Sequence, residues 1–461
     1  MRRIAFASPL PPETSGIADY SAELLPALAA HFEIDLFTGR PEATDRALAE
    51  RFAVRPYAEL AARDEQRPYF GLVYQLGNSA AHHGEIHRLL LARPGVVVLH
   101  EYMLHHLMRD LTLALGGKAA FREEMRYCYG ATGLRMAGRI LHANDLPEMW
   151  DFPLFERVVD AARGLLVHSW ATRDRVRASR PAAEIAIVPH HLSLHGTAPP
   201  DPGARARLLA EHGLAEDTLL LASFGHLTAA KRLDVALGAF ARLRRRHPNA
   251  AYLLAGEPSA AYAELPGLLA GPLGEGVHAT GRLPLPRLLE VMACCDVAVN
   301  LRHPTGGETS GACLRLLGLG RPVVVTESGW FAEIPDDCCA KVPLGGDEED
   351  LLAALLEELA ASPPLRHALG ANAARWAASH HRPADCARGY ADFITRIADH
   401  AAAPEPAVPP LAPSAPGDLP AKLAAALGAA LAELDLDERE PELAGALAAT
   451  LVDLGLNRGA G

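Results

Sequence analysis

The sequence predicts an α/β protein with two domains, each built on a parallel β-sheet. Short apolar runs rich in β-branched residues alternate with helical segments, and this alternation is typical of parallel βαβ units. A chain of 461 residues with 49% hydrophobic residues can bury more than one core, because single cores rarely grow so large. Residues 192–203, rich in Ser, Gly and Pro, interrupt the alternation. We therefore place the hinge between the domains there.

The alternation predicts six strands on each side of that hinge. The first domain is expected to cover residues 1–195 and the second residues 196–380, and both are expected to be Rossmann-like. The predicted strands are residues 4–8, 34–38, 72–76, 96–100, 165–169 and 185–189 in the first domain, and residues 219–224, 251–255, 277–280, 297–301, 323–326 and 341–344 in the second.

Two further segments follow the second domain. Residues 401–418 are mostly Ala, Pro and small or acidic residues, which predicts a semi-rigid linker. Residues 419–461 are rich in Ala and Leu, with apolar residues at helical spacing, which predicts a helical tail. Neither segment indicates a function.

Composition excludes several classes of protein. A net charge of −12 and a pI near 6.0 argue against a nucleic-acid partner. The seven cysteines include no Cys-x-x-Cys pair, so we expect neither a zinc site nor disulfides, and a reducing cytoplasm fits best. No stretch resembles a signal peptide or a membrane span. We expect a cytoplasmic protein whose contact with a membrane, at the inner face, is at most peripheral.

The loop between the fourth and fifth predicted strands of the second domain suits an anion. Thr309 or Ser310 can cap the helix that follows, and Gly320 and Pro322 end it. The free backbone N–H groups of a helix N-terminus then lie at the carboxyl end of a strand, where a diphosphate can accept their hydrogen bonds.

This loop contains the tetrapeptide Glu-Thr-Ser-Gly, and a second copy of the tetrapeptide follows the first predicted strand. Glu-Thr-Ser-Gly occurs at residues 13–16 and again at residues 308–311. Helix capping alone would favour Thr and Ser in both places, and one repeat of four residues can arise by chance. Both copies follow strands, however, and open α/β sheets bind ligands at that edge.

Over residues 1–395 the chain resembles the GT-B-fold glycosyltransferases of family 4, which are retaining enzymes. The matching motifs are residues 12–21, 187–190, 224–240, 252–256, 281–284 and, most specifically, 304–326. The resemblance implies two Rossmann-like domains that face an interdomain cleft, and a helix at residues 381–400 that crosses back onto the first domain. It also implies transfer of a hexose from a nucleoside-diphosphate sugar to an acceptor hydroxyl.

The same resemblance assigns roles to residues. Three residues are expected to be catalytic and six to hold the donor, while two could meet the acceptor or the sugar. The catalytic residues are Glu308, Lys231 and His100, the donor-binding residues are Gly16, His226, Lys231, Thr309, Ser310 and Gly311, and the sugar or acceptor contacts are Asn78 and His100.

Each of these residues also has a structural explanation. Glu308 could be a capping acid, and Lys231 a solvated cation after a strand. Gly16 and Asn78 are residues that turns favour, and His100 could be satisfied by the backbone. The sequence alone leaves these alternatives open.

The chain departs from the family pattern at two positions. Leu316 stands where the family places a second glutamate, which is thought to hold the donor ribose, and His226 stands near a common arginine. A histidine is a weaker, pH-dependent donor than an arginine fork. Arg232, Arg302 or Arg315 could compensate, although each could equally be a surface cation.

No metal or other cofactor is expected. His83 and His87 have the spacing of helical ligands, and His105 and His106 lie nearby in the sequence. The His-Glu-x-x-His pattern of zinc proteases is absent from the sequence, and GT-B enzymes do not generally need a metal for catalysis.

Three other functions compete with the glycosyltransferase. A dinucleotide oxidoreductase is disfavoured, because no Gly-x-Gly-x-x-Gly turn follows the first strand. Another GT-B enzyme, such as an epimerase or an inverting transferase, would keep the architecture. A non-catalytic binding or scaffold protein would explain Leu316 and His226. We expect a nucleotide-sugar donor and a carbohydrate, lipid or small-molecule acceptor, with the acceptor and oligomeric state left open.

Overall fold

The computed structural model describes residues 1–142, 147–194, 201 and 203–400. It contains two α/β domains with parallel sheets, which confirms the predicted fold class. The predicted linker and tail lie outside the described residues, as do residues 195–200 and 202 of the hinge.

The first domain has a seven-stranded parallel sheet, one strand more than predicted. The strand order is β3-β2-β1-β4-β5-β6-β7. The prediction missed β3 because it is a short, half-exposed edge strand of sequence Ala-Val-Arg-Pro that has no apolar run. The strands are β1 Arg3–Ala7, β2 Glu33–Thr38, β3 Ala53–Pro56, β4 Gly71–Leu76, β5 Val96–Leu99, β6 Gly164–Val167 and β7 Ile185–Ile187.

Seven α-helices lie among the described residues of this domain. The longest, α5, contains non-helical backbone at Gly116, Gly117 and Gly130, where it is kinked. No helix among the described residues is long and apolar enough to cross a membrane. The helices are α1 Gly16–Leu28, α2 Arg46–Arg51, α3 Leu60–Gln66, α4 Ala80–Ala92, α5 His105–His142, α6 Glu156–Ala161 and α7 Trp170–Ser179.

The second domain has six parallel strands, as predicted, in the order β10-β9-β8-β11-β12-β13. Every residue of β9, β11 and β12 is buried, because helices cover both faces of a parallel sheet. The strands are β8 Leu219–Phe224, β9 Ala250–Ala255, β10 Val277–Ala279, β11 Val297–Asn300, β12 Val323–Thr326 and β13 Ala340–Val342. The helices are α8 Ala204–Glu211, α9 Leu233–Arg244, α10 Leu265–Ala270, α11 Leu285–Cys294, α12 Gly311–Gly318, α13 Glu348–Ala361 and α14 Pro363–His380.

The last described helix, α15 Pro383–Asp399, returns to the first domain. Its apolar face joins a core cluster of that domain, and the hydroxyls of Tyr390 and Tyr20 lie 2.6 Å apart. Gly71 and Gly164 allow this approach, because a side chain at either position would meet α15 within 3.0 Å. The chain therefore connects the domains twice.

Both sheets reverse their strand order once. The reversal lies between β1 and β4 in the first domain and between β8 and β11 in the second. The loops at the carboxyl ends of those strands form a crevice in which open α/β sheets bind ligands. The two Glu-Thr-Ser-Gly segments follow β1 and β11, so each lies at such a reversal.

Candidate active site

The two domains enclose a cavity of about 520 Å³ at the carboxyl ends of their strands. Both tetrapeptides reach it, through Ser15 and Gly16 from the first domain and through Glu308, Thr309 and Gly311 from the second. The sheets thus bring together two segments that are nearly 300 residues apart in the sequence.

On the second-domain side, a helix N-terminus faces the cavity. Ser310 caps α12, since its hydroxyl accepts a hydrogen bond from the N–H of Cys313 at 3.2 Å. Gly311 and Ala312, which begin the helix, line the cavity. The N–H groups of a helix's first turn have no partner within the helix, and the helix dipole favours an anion there.

Several buried polar groups at this edge of the second sheet have no hydrogen bond. Within the described residues, the side-chain polar atoms of Thr228, Asn300, Thr309 and Ser328 are buried and unpaired. They end or follow β8, β11 and β12, which are neighbouring strands. Because buried polar groups are normally paired, this edge is expected to bind polar ligand atoms or water.

Lys231 follows β8 and is buried, with 7% of its surface exposed. Its Nζ donates a hydrogen bond to the carbonyl of Phe224 at 2.6 Å. Burial lowers the pKa of Lys231 to about 7, the nearby Arg302 lowers it further, and Glu308 opposes the shift. An anion next to this amine would favour its charged form, so Lys231 is not the solvated cation of the alternative explanation.

Glu308 lies at the cavity with its carboxylate held by its own loop. Its Oε2 accepts hydrogen bonds from the N–H of Gly306 at 2.8 Å and from the hydroxyl of Thr305 at 3.1 Å. Its Oε1 lies 3.0 Å from Nε of Arg302. Ser310, and not Glu308, caps the helix. The carboxylate of Glu308 is instead oriented by residues that precede it in the chain.

The positions that depart from the family pattern have clear places in the structure. Leu316 is fully buried in the second-domain core, while its neighbour Arg315 lines the cavity. Leu316, the position compared with the family's second glutamate, therefore lies away from the cavity, and Arg315 of α12 lines it instead. His226 is exposed and lies outside the cavity lining.

Of the three candidate arginines, Arg302 lies nearest to the other site residues, at Glu308 and beside Lys231. Arg315 forms an ion pair with Glu23 of the first domain at 2.7 Å. Arg232 pairs with Glu348 at 2.9 Å, a residue at the start of α13. Arg302 is thus best placed to assist Lys231.

The predicted site residues of the first domain differ in how accessible they are to a ligand. No atom lies within 4 Å of the position that a Cβ at Gly16 would occupy, so a ligand can approach its backbone. His100 lines the cavity, and its Nε2 lies 2.7 Å from Oε1 of Gln75. The Oδ1 of Asn78 accepts a hydrogen bond from the N–H of Leu107 at 3.0 Å, so it supports the start of α5.

Sequence reasoning missed Glu101, which directly follows His100 and lines the cavity. Burial raises the pKa of Glu101 to about 8, the charge of Glu308 raises it further, and the N–H of Asn78 opposes the shift. A Cβ at Gly306 would lie 3.2 Å from Oε2 of Glu101 and 3.4 Å from Oε2 of Glu308. The two carboxyl groups therefore face each other across Gly306, and Glu101 holds a proton at neutral pH.

Histidines on the first-domain side form a second group that the sequence did not reveal. The rings of His100, His168, His190 and His191 all contact the ring of Tyr20 at centroid distances of 4.4–5.2 Å. His100 was a predicted site residue and His190 ends a matching motif, whereas the sequence signal of His168 and His191 was a place after strands β6 and β7. In the part of the chain that the structure describes, no group of three or more His, Cys, Asp or Glu residues is placed to hold a metal ion.

Direct contacts hold the two domains together around the cavity. The N–H of Tyr102 donates to the carbonyl of Gly306 at 2.8 Å, and the hydroxyl of Thr172 donates to the carbonyl of Gly307 at 2.9 Å. Glu333 accepts a hydrogen bond from the N–H of Ala171 at 2.7 Å, at the start of α7. The loop that carries Glu308 is therefore fixed by the first domain.

Comparison with known proteins agrees with this architecture. Residues 218–361 match the family described as "Glycosyl transferases group 1". The chain is 30% identical over 274 residues to D-inositol 3-phosphate glycosyltransferase of Stackebrandtia nassauensis. That match covers 56% of this chain and 60% of the relative, so the chain spans less than two thirds of the relative's length.

Solved glycosyltransferase structures share the fold. Sucrose-phosphate synthase of Thermosynechococcus elongatus superposes with a TM-score of 0.64 at 16% identity, covering 87% of this chain and all of that one. HepE of Anabaena in complex with UDP superposes with a TM-score of 0.60 at 15% identity, covering 86% and 100%. The fold defines the class: this is a GT-B protein with two Rossmann-like domains. Within that class, its second domain matches the group 1 glycosyl transferases.

Proposed function

We propose that this chain is a retaining glycosyltransferase that moves a hexose from a nucleoside-diphosphate sugar to an acceptor hydroxyl in the cleft. One observation carries the proposal. A buried lysine, Lys231, lies near Glu308 and the start of α12, and both of these line the cavity between the domains.

The donor diphosphate is assigned to the second domain. The N–H groups of Gly311 and Ala312 can hydrogen-bond one phosphate, and Lys231 can neutralise the other. Because the leaving diphosphate gains negative charge as the glycosidic bond breaks, such groups lower the barrier by stabilising that charge. The UDP in the HepE complex supports a nucleotide donor here.

Glu308 and His100 are proposed to contact the transferred sugar. The carboxylate of Glu308 is fixed by Gly306 and Thr305, so it can accept hydrogen bonds from sugar hydroxyls without reorganising. Retention of configuration follows from the resemblance to family 4. Because Lys231 and the helix N–H groups supply positive charge, the proposal requires no metal ion.

A non-catalytic sugar-nucleotide-binding protein is the second candidate. The exposed position of His226 and the ion pair between Arg315 and Glu23 favour it, since both remove cations from the donor site. Such a protein would bind a donor without turning it over.

A donor panel tests the proposal. UDP, GDP and ADP forms of glucose, galactose, mannose and N-acetylglucosamine would be scored by thermal shift and by release of the nucleoside diphosphate. Wild type, Lys231→Met and the exposed control Lys118→Met would be compared. We expect one donor to stabilise wild type and the control and to be turned over, with both effects lost in Lys231→Met.

The other outcomes are equally informative. Binding without turnover would favour the sugar-nucleotide-binding protein. If no donor raises the melting temperature at concentrations far above ordinary Kd values, the proposal is wrong. NMR of the anomeric proton in substrate and product would test retention.

A further inference from the structure

Three histidines of the first domain that line the cavity each keep a ring nitrogen that can accept a hydrogen bond. Each directs Nδ1 at a backbone carbonyl: His83 at Gln75, 3.2 Å away; His168 at Val188, 2.8 Å away; and His190 at His191, 2.6 Å away. A carbonyl oxygen only accepts, so Nδ1 carries the hydrogen and Nε2 keeps a lone pair. Burial lowers the pKa of all three histidines, to about 3 for His83 and about 4 for His168, so they are neutral.

Carboxyl groups extend this acceptor surface. Asp19, Glu101 and Glu308 also line the cavity. A Cβ at Gly77 would lie 3.1 Å from Nε2 of His83 and 3.4 Å from Oε1 of Glu101, so these acceptors adjoin one another. We call Asp19, His83, Glu101, His168 and His190 the first-domain wall.

Positive charge near this wall is already compensated. Of the described residues that line the cavity, Arg315 is the one lysine or arginine, and it lies 2.7 Å from Glu23. Partial desolvation raises the pKa of Asp19, while the charges of Arg315 and Arg282 oppose that rise. The arginine that lines the cavity is therefore already paired with a carboxylate.

We propose that the first-domain wall selects an uncharged, polyhydroxylated acceptor, such as a free sugar or glycoside, and rejects an acceptor with a phosphate near the reacting hydroxyl. Sugar hydroxyls donate hydrogen bonds to neutral imidazoles and carboxylates. A phosphate dianion donates none, and it would lie near the carboxylates of Asp19 and Glu308. Glu101, which holds a proton, adds no negative charge there. This inference rests on the proposed function and names the acceptor class of the same site.

The transfer balances without another reactant. The acceptor hydroxyl oxygen forms a bond to the anomeric carbon, and the bond from that carbon to the diphosphate oxygen breaks. The hydroxyl proton leaves with the diphosphate, which is released as the nucleoside diphosphate. The wall holds the acceptor while Lys231 and α12 hold the leaving group.

Matched acceptor pairs test the proposal on the full chain with the donor found in the panel above. The pairs are myo-inositol with inositol 3-phosphate, glucose with glucose 6-phosphate, and methyl glucoside with its 6-phosphate. Product formation would be followed by mass spectrometry. We expect the uncharged member to have a kcat/KM about 10- to 100-fold higher, as like-charge contacts commonly produce. Equal or better use of the phosphorylated members, or no use of any uncharged member, would overturn the proposal.

A charge reversal at the wall gives a second test that does not depend on absolute activity. Asp19→Lys should move the ratio of phosphorylated to uncharged acceptor use upward by about tenfold, which corresponds to about 1.4 kcal/mol. Glu42→Lys makes the same charge change at an exposed residue outside the cavity lining and should leave the ratio unchanged. Equal ratios in the two variants would contradict the proposal.

Failure of the acceptor proposal and failure of the proposed function would give different experimental results. Donor binding and acceptor-free donor hydrolysis report on the glycosyltransferase itself. If these occur but only phosphorylated acceptors are used, this inference alone is wrong. If no donor binds, the proposed function fails, and this inference fails with it.

Discussion

The two Glu-Thr-Ser-Gly segments have the same sequence, yet their side chains have different surroundings. In both, the serine caps a helix and the glycine begins it. The first glutamate, Glu13, is outside the cavity lining, and its Oε2 lies 2.9 Å from Nδ1 of His82. The second, Glu308, lines the cavity beside Arg302.

This difference separates the structural part of the motif from the part that suits a ligand. Thr-Ser-Gly starts a helix wherever it follows a strand, because a serine satisfies a first-turn N–H group. The glutamate and the threonine can in addition contact a ligand, but only in the copy whose loop buries them near a cation. Equivalent substitutions in the two copies can therefore test which copy serves the donor.

The glutamates should show the largest contrast. Glu308→Gln should lower donor turnover about 100-fold or more, as loss of one group that stabilises a transition state commonly does. Glu13→Gln should change it less than about threefold, because its carboxylate pairs with His82 outside the cavity lining. Steady-state release of the nucleoside diphosphate measures both. Similar losses of donor turnover in the two variants would show that the two copies of the motif do not differ in function.

The threonines should differ less. Thr309→Val removes a buried hydroxyl that has no partner among the described residues, so the free energy of unfolding should not fall. Affinity for UDP should drop by about tenfold, since a hydrogen bond to a charged group contributes about 1.5–3 kcal/mol. Thr14→Val, at an exposed site, is the control. Calorimetric titration and urea unfolding distinguish the effects, and an unchanged UDP affinity in Thr309→Val would place the ligand elsewhere.

The serines should behave alike. Ser15→Ala and Ser310→Ala each remove a cap whose oxygen accepts a backbone N–H at 3.2 Å. Each should lower the free energy of unfolding by about 1 kcal/mol, measured by urea denaturation. A loss in one variant and none in the other would show that capping is not the shared role of the motif.

Glu101, which faces Glu308, should have a smaller and pH-dependent effect on stability. Its raised pKa of about 8 means that the folded state binds a proton that the unfolded state releases above about pH 4.5. This group's contribution to stability is therefore lost as pH rises toward 8.

Glu101→Gln mimics the protonated form and should escape that loss. The melting temperature of the variant relative to wild type should rise by roughly 2 °C or more between pH 5 and pH 8. A constant difference between Glu101→Gln and wild type would mean that Glu101 is ionised in the folded protein.

Much of the fold was predictable because buried parallel strands form continuous apolar runs, as in β11 and β12. The edge strand β3 was not, because it has no such run. The site was less predictable, because the direction in which a helical side chain points depends on where the helix begins. A shift of one residue rotates a side chain by about 100°, so Arg315 rather than Leu316 faces the cavity.

Long-range contacts set the remaining site properties. Asn78 lines the cavity, where a ligand contact is predicted, and its Oδ1 also accepts a hydrogen bond from the N–H of Leu107 in α5. Burial raises the pKa of Glu101, and the charge of Glu308, more than 200 residues away in the sequence, raises it further. Neither relation can be deduced from local sequence.

The central claim is that a nucleoside diphosphate binds beside Lys231 in the second domain. Calorimetric titration of UDP, or of the base selected by the donor panel, at pH 8 in two buffers of different ionisation enthalpy tests it most directly. Lys231 has a pKa of about 7, so it is mostly neutral at pH 8, and a bound diphosphate would charge it. We predict uptake of close to one proton in wild type and none in Lys231→Arg, whose guanidinium is always charged. Binding without proton uptake in wild type would contradict the account.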